Sequence, residues 1–439
     1  MSASLNSLNE LDIDAHLNSL SHFPAWLVQA KRESWQRFLS LPEPTRKDES
    51  WRFATIKHLS LKDYGLPSAS LATDREAIIS QSNWVTDFSA KLIFANDHCL
   101  LQEPSTDNTV SLLTWDAILR NPDVTIGGRK GVDCLQDYFI PKTTDLGSDK
   151  FVNLQAALGS NGVFLYVPDG TEIDAPFVVY HWLSGKGTLS FPRMVVLAGK
   201  NARVNLVELF LSEEEVMEQF AFASACICAE NGAKVSYQAV QAYNKQSRCC
   251  QLNTVHAERD AHVSTVNVNL GSQYMRHEHH SYLAGTGSHV DTDSLSVPNE
   301  DQEFDQRTLQ THKAPHCRSD LLFKNALLDQ GRTIFSGLIR VEEGAQQTDA
   351  YQTNRNLLLS STANANSLPG LEIHANDVKC SHGATSAQLD ENDIFYFLAR
   401  GIPRSVARQL MTFGFFEEIL EKLDTSLAER TREQIAQKF

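Results

Sequence analysis

A four-residue theme returns through the middle of this chain at a nearly constant interval. It consists of Gly, Asn or Asp, then two variable residues, then Val or Ile. The instances are Gly170-Thr171-Glu172-Ile173, Asn201-Ala202-Arg203-Val204, Gly232-Ala233-Lys234-Val235, Asp260-Ala261-His262-Val263 and Gly287-Ser288-His289-Val290. Their first positions lie 31 (201−170), 31 (232−201), 28 (260−232) and 27 (287−260) residues apart. Self-similarity at such a period marks a solenoid, in which each unit buries its apolar side only against its neighbours.

Alternation after each instance identifies the unit. Val204/Leu206, Val235/Tyr237, Val263/Thr265 and Val290/Thr292 share one face, with Asp291 and Asp293 on the other. Period two means strands, so the solenoid is expected to be a β-helix with one continuous apolar column inside and Asp291 and Asp293 in water. Gly, Asn and Asp suit corners that need left-handed backbone. The theme fades after Val290, but strand-like runs continue at Leu321 to Leu328, Thr333 to Val341 and Asn356 to Leu359. The expected architecture is mainly β: a mixed helical domain over 1–160, a parallel β-helix core over 161–389 and a helical domain over 390–439.

The flanks are predicted to be helical. Ser21-His22-Phe23-Pro24 is a start signal, and Trp26, Leu27, Ala30, Trp35, Phe38 and Leu39 follow at helical spacing up to Pro42 and Pro44. Lys91 to Ala95 reads as a strand and Leu112 to Asn121 as a helix. After Pro403, residues Val406, Leu410, Phe413, Phe416, Leu420 and Leu423 form one amphipathic stripe. Thr425 to Phe439 is polar, and an exposed, frayed end is expected there.

Composition removes several functions. The formal net charge is −15, which disfavours nucleic acid and anionic lipid as partners. No apolar run reaches bilayer length. The opening Met1 to Leu5 is polar and leads into no basic, apolar leader, so a cytoplasmic protein with reduced thiols is expected. No Gly-x-x-x-x-Gly-Lys-Ser/Thr loop is present. Gly185-Lys186-Gly187 comes nearest, with Tyr180 and Gly187 at positions where the motif needs Gly and a hydroxyl.

Candidate sites differ in what their spacing supports. Cys226 and Cys228 lie in an apolar run and read as core fillers. His277-Glu278-His279-His280 puts His277 and His279 on one face of a strand and Glu278 and His280 on the other, with no clear third ligand, and reads as an exposed polar face. The segment His312 to Cys317 is dense in ligand types, and His316 reads equally as a site residue or as a corner. Cys380 and His382 stand two apart in a strand-like segment, so they share a face and pair a soft sulfur with an imidazole. That chemistry suits zinc, copper or an iron–sulfur species. By spacing alone they read as a buried Cys and a capping His.

The run from Leu371 to Thr385 (LEIHANDVKCSHGAT), the block Ile394 to Ile402 (IFYFLARGI) and Gln352 to Ser360 (QTNRNLLLS) together resemble the SufB/SufD family of iron–sulfur cluster assembly scaffolds. Asp48 to Phe53 resembles the family's Glu-x-Trp-Arg block, and a Trp packed under the domain accounts for it. Length and the lack of a Cys-x-x-Cys fit the SufD branch better than the SufB branch. The resemblance implies a right-handed β-helix and a non-catalytic subunit working with a SufB paralogue and a SufC ATPase. No cofactor would be held stably, and a cluster or its precursor would pass transiently through the subunit interface. His382, then Cys380, become the ligands implied there, with nearby Lys379 or a metal as the positive charge that would lower the thiol's pKa. Val406, Leu410, Phe413 and Phe416 become the implied ATPase-docking stripe. The isolated chain could pair as a homodimer. The competing reading is a β-helix carbohydrate-active enzyme, for which Asp291, Asp293, Glu303 and Asp305 would have to line one groove.

Overall fold

The computed structural model describes residues 8, 13–20, 23–66, 74–105, 107, 109–121, 123–140 and 145–439. The opening Met1 to Leu5, and Ser21 and His22 of the helix start signal, lie outside them. From Val163 to Gln388 the chain winds as a parallel β-solenoid of about eight turns. Every turn gives one strand to each of two sheets. The first sheet runs from Phe177–Leu183 to Val378–Gln388, and the second from Val163–Val167 to Asn364–Ile373.

Rungs stay in register along the solenoid. In the first sheet Val204, Val235, Val263, Val290, Ser319, Ala350 and Cys380 pair in succession as one inward column. Two residues on, Leu206, Tyr237, Thr265, Thr292, Leu321, Gln352 and His382 form the next.

The theme's first residue makes the corner. Gly170, Asn201, Gly232, Asp260 and Gly287 have φ of 68°, 55°, 71°, 57° and 75°. That region costs most L side chains about 1–2 kcal/mol and is cheapest for Gly, Asn and Asp. The series continues where its signature fades. His316 (φ 61°) and Gln347 (φ 58°) take the next two corners, 29 (316−287) and 31 (347−316) residues on. Their inward residues are Ser319 and Ala350, both buried. His316 is therefore a corner, its N–H donating to Gln346 O at 2.9 Å.

The interior is not one apolar column. The early turns bury Val179, Val196, Leu206 and Ile227. Later turns enclose Asn253, Asn267, His277, His279, Gln306 and His312, all almost fully buried. Hydrogen bonds across the interior, from one sheet to the other, make this tolerable: Asn253 Nδ2 donates to Asn267 Oδ1 at 3.0 Å, and Gln306 Nε2 to Asn325 Oδ1 at 3.2 Å. The expected exposed histidine face is thus wrong on both sides. His277 and His279 point inward, while Glu278 is clamped outside by Arg276 at 2.6 Å under the N-terminal domain.

That domain is strapped to the second sheet. The buried Arg276 stacks on Trp51 at 3.7 Å and donates to Ser50 O and Leu146 O. Arg307 donates to Arg52 O, and Glu303 accepts from Thr55 N–H and hydroxyl. Helix Ala25–Ser40 buries Leu27, Trp35 and Phe38 as its spacing predicts. The predicted helix from Leu112 divides instead: Ser111–Thr114 is a strand, and Thr114 Oγ1 caps helix Trp115–Arg120 by accepting from Ala117 N–H. Strand Ala90–Ala95 adds to the first sheet and carries an antiparallel strand, His98–Glu103. Ser111–Thr114 closes the second sheet the same way.

At the other end, helices Glu391–Leu398, Arg404–Leu420 and Thr425–Ala436 fold back over the first sheet. They cover part of the face expected to meet water. Asp293 is 2% exposed, with Lys422 Nζ at 2.7 and 2.8 Å from its oxygens, and Asp291 is half-buried. The tail is not frayed: Asp424 caps the last helix, and Leu427, Ala428, Thr431 and Ile435 are buried.

Candidate functional site

The last turn has no successor, so Val378–Gln388 and Asn364–Ile373 end their sheets with one long edge each. Inward side chains that every earlier turn buries lie open here. Leu371 and Ile373 pair with the fully buried Ile339 and Val341 yet are 38% and 39% exposed. Cys380 and His382 occupy the same inward rung of the first sheet, above Ala350 and Gln352. They share a face, as their spacing predicts. Cys380 is half-buried and packs with Val378 beside Ala350 and Ala375, whereas His382 is exposed. The end of the solenoid therefore presents a thiol and an imidazole beside apolar surface and two strand edges, a combination suited to a partner that also supplies ligands.

The thiol is not pre-activated. Burial pushes the Cys380 pKa up, Asp349 adds to it, and a hydrogen bond with Ala350 opposes them. The expected help from Lys379 fails because adjacent strand residues point to opposite faces. Metal binding at this thiol would have to displace its proton.

Behind the rung lies the polar interior. Gln352 sits under His382, and Gly337 leaves it room: a Cβ there would fall 2.5 Å from Gln352 Oε1 and 2.7 Å from Thr308 Oγ1. The Nδ1 atoms of His277, His279 and His312 find no protein partner among the described residues. Burial lowers the pKa of His277 and of His312 to about 4, so both rings are neutral near pH 7.

Residues 181–415 match the family model for the SufBD core domain of SUF-system iron–sulfur cluster assembly, and residues 14–179 match the SufBD N-terminal region. The chain belongs to the SufBD family. Among its relatives, the iron–sulfur cluster assembly protein SufD of Escherichia coli is 27% identical over 92% of this chain and 91% of its own length. SufD of Bacillus subtilis is 24% identical over 91% of each. The chloroplastic protein ABCI7 of Arabidopsis thaliana is 27% identical over 92% of this chain and 85% of its own.

In this SufBD chain the C-terminal stripe divides. Phe416 is fully buried with Ile419, Leu420 and Leu423 against the sheet, and Phe413 is partly buried beside them. Val406 and Leu410 remain 39% and 47% exposed. Phe395 (69%) and Tyr396 (55%) extend the exposed apolar surface on the preceding helix. The sequence reading of the stripe missed these two. The signal was available, because Ile394 to Leu398 is apolar all round and an eight-residue helix that buries only Ile394 cannot hide the rest.

Other candidates separate from the site. Cys226 is buried and Cys228 half-buried, with sulfurs 4.0 Å apart under the N-terminal domain. The buried Cys317 donates to Gly285 O, and His312 bonds Ser319 inside the solenoid. The four carboxylates of the carbohydrate-enzyme reading line no common groove. Asp291 and Asp293 lie on the first sheet, and Glu303 and Asp305 on the second, held by Arg332 and by Arg276 and Arg307. Among the described residues no helix is long and apolar enough to cross a membrane.

Proposed function

We propose that this chain is a SufD-type, non-catalytic scaffold subunit of a cytoplasmic SUF complex. A SufB-type paralogue continues the solenoid across the open end by pairing with its strand edges. A SufC-type ATPase docks on the C-terminal helices, through Val406, Leu410 and Phe413, with Phe416 anchoring the docking helix from below. The observation that carries this reading is the placement of Cys380 and His382 on the one inward rung that no further turn covers, within the family's core domain. The cluster or its iron precursor is cargo, held transiently between His382, Cys380 and donors from the partner. Alone, the chain uses the same edges to form a homodimer.

The test is co-expression with both partners. His382→Ala leaves the complex assembled and its ATP hydrolysis intact but sharply lowers cluster formation in cells. Cys380→Ser is milder, because the imidazole stays. Full cluster output from an assembled His382→Ala complex removes the site assignment.

A further inference from the structure

Three side chains on the outside of the first sheet converge without any role in the open end. His262 and His289 are register partners on neighbouring strands, and Asp291 follows His289 by two residues on the same face. The imidazole rings lie parallel, 1° apart in tilt, with centroids at 4.3 Å. Their Nε2 atoms reach the two oxygens of one carboxylate: His262 to Asp291 Oδ2 at 2.9 Å and His289 to Oδ1 at 3.0 Å. Among the described residues this is the one group of three His, Cys or carboxylate ligands whose donor atoms all lie within 4.8 Å of one another.

We propose that His262, His289 and Asp291 form a site for a single divalent first-row transition-metal ion. Donor spacing is the first argument. Metal–ligand bonds of about 2.1 Å at right angles put neighbouring donors about 3.0 Å apart, close to the two nitrogen–oxygen distances observed. Donor type is the second: two imidazoles and one carboxylate, with positions left open, select first-row divalent ions over magnesium or calcium.

The surroundings permit it. The backbone is fixed by the ladder, His262 N–H donating to Ala233 O and His289 N–H to Ala261 O, both at 2.8 Å. The side chains remain reachable, at 43%, 28% and 27% exposure. Lys234 and Arg318 flank the pair on the adjoining rungs, and Asp320, next to Asp291, adds a second carboxylate to offset them. The position is about 14 Å, three strand spacings, from the last strand, and on the opposite side of the sheet from Cys380 and His382. The site therefore does not depend on the proposed cluster-handling role.

Zinc(II) titration of the purified full chain by calorimetry, with cobalt(II) absorption in parallel, tests this. The expected result is one ion per chain, retained in Cys380→Ser/His382→Ala. Affinity falls at least about tenfold in Asp291→Asn and further in His262→Gln/His289→Gln, with unchanged circular dichroism. Cobalt on the wild type gives weak nitrogen–oxygen d–d bands. Undiminished binding by folded His262→Gln/His289→Gln overturns the proposal, as does an intense thiolate-to-cobalt band in the wild type or no saturable binding at all. Should the histidine variant fail to fold, Asp291→Asn and the cobalt spectrum decide.

Discussion

Acid should open this solenoid from within. His277 and His312 are wholly buried, and burial holds each pKa at about 4 against 6.5 in an open chain. Between those values the folded chain binds fewer protons than the unfolded chain, so stability rises with pH through the window and is lost as pH falls from 6.5 towards 4. By pH 4.5 the loss relative to pH 7 is about 2.5 kcal/mol per ring, or about 5 kcal/mol for the pair. That is a large share of the roughly 5–15 kcal/mol that holds a domain folded. His279, whose pKa burial lowers and neighbouring His277 lowers further, acts in the same direction. The assay is urea unfolding followed by tryptophan fluorescence at about pH 7, 6, 5 and 4.5, comparing wild type with His277→Gln/His312→Gln. The variant should lose about 5 kcal/mol less across the range. Parallel stability curves for the two proteins would refute the argument, and would mean that the buried rings do not control the acid response.

The C-terminal stripe should separate by substitution. Phe416→Ala lowers stability by about 3–5 kcal/mol in urea melts, while Leu410→Asp leaves the melt unchanged and abolishes co-purification with the ATPase. At the His316 corner, Val should cost about 1–2 kcal/mol and Gly little, because left-handed backbone is hardest on a β-branched residue and open to Gly. If both are neutral, the corner is not strained. Arg276→Ala withdraws the cation from the buried Asp305 and the ring of Trp51, and should destabilise by about 3–5 kcal/mol in a thermal or urea melt.

Much of the solenoid was legible because its corners and inward residues obey separate chemical rules that coincide in five turns. The reading failed where one turn broke both rules: His316 and Gln347 are poor left-handed residues, and Ser319 and Ala350 are weak core markers, yet stacking on finished turns holds them in place. The polar interior was illegible for a related reason. Period-two alternation reports which side chains face inward, not whether they are apolar, and Thr265 and Thr292 were the only hint. The tail misled because Leu427, Ala428, Thr431 and Ile435 give a thin apolar stripe in a charged helix. Cys380 and His382 could be paired on one face from spacing alone. That the face looks inward, and stands uncovered, depends on counting turns to the end.

The two ends of the solenoid are unlike, and this sets a limit on stoichiometry. At its start each sheet is finished by a short antiparallel strand, His98–Glu103 or Ser111–Thr114. At its finish both strands are ten or eleven residues long with nothing beyond them. A unit with one blunted end and one adhesive end cannot propagate. Head-to-tail addition, which would give a fibre, meets only these short antiparallel edges as its second socket. On the proposed pairing, joining adhesive end to adhesive end would use up both long edges in one step, whether the neighbour is a paralogue or a second copy. The short strands near residue 100 would then act at a distance as a chain terminator, confining a polymerisable fold to pairs.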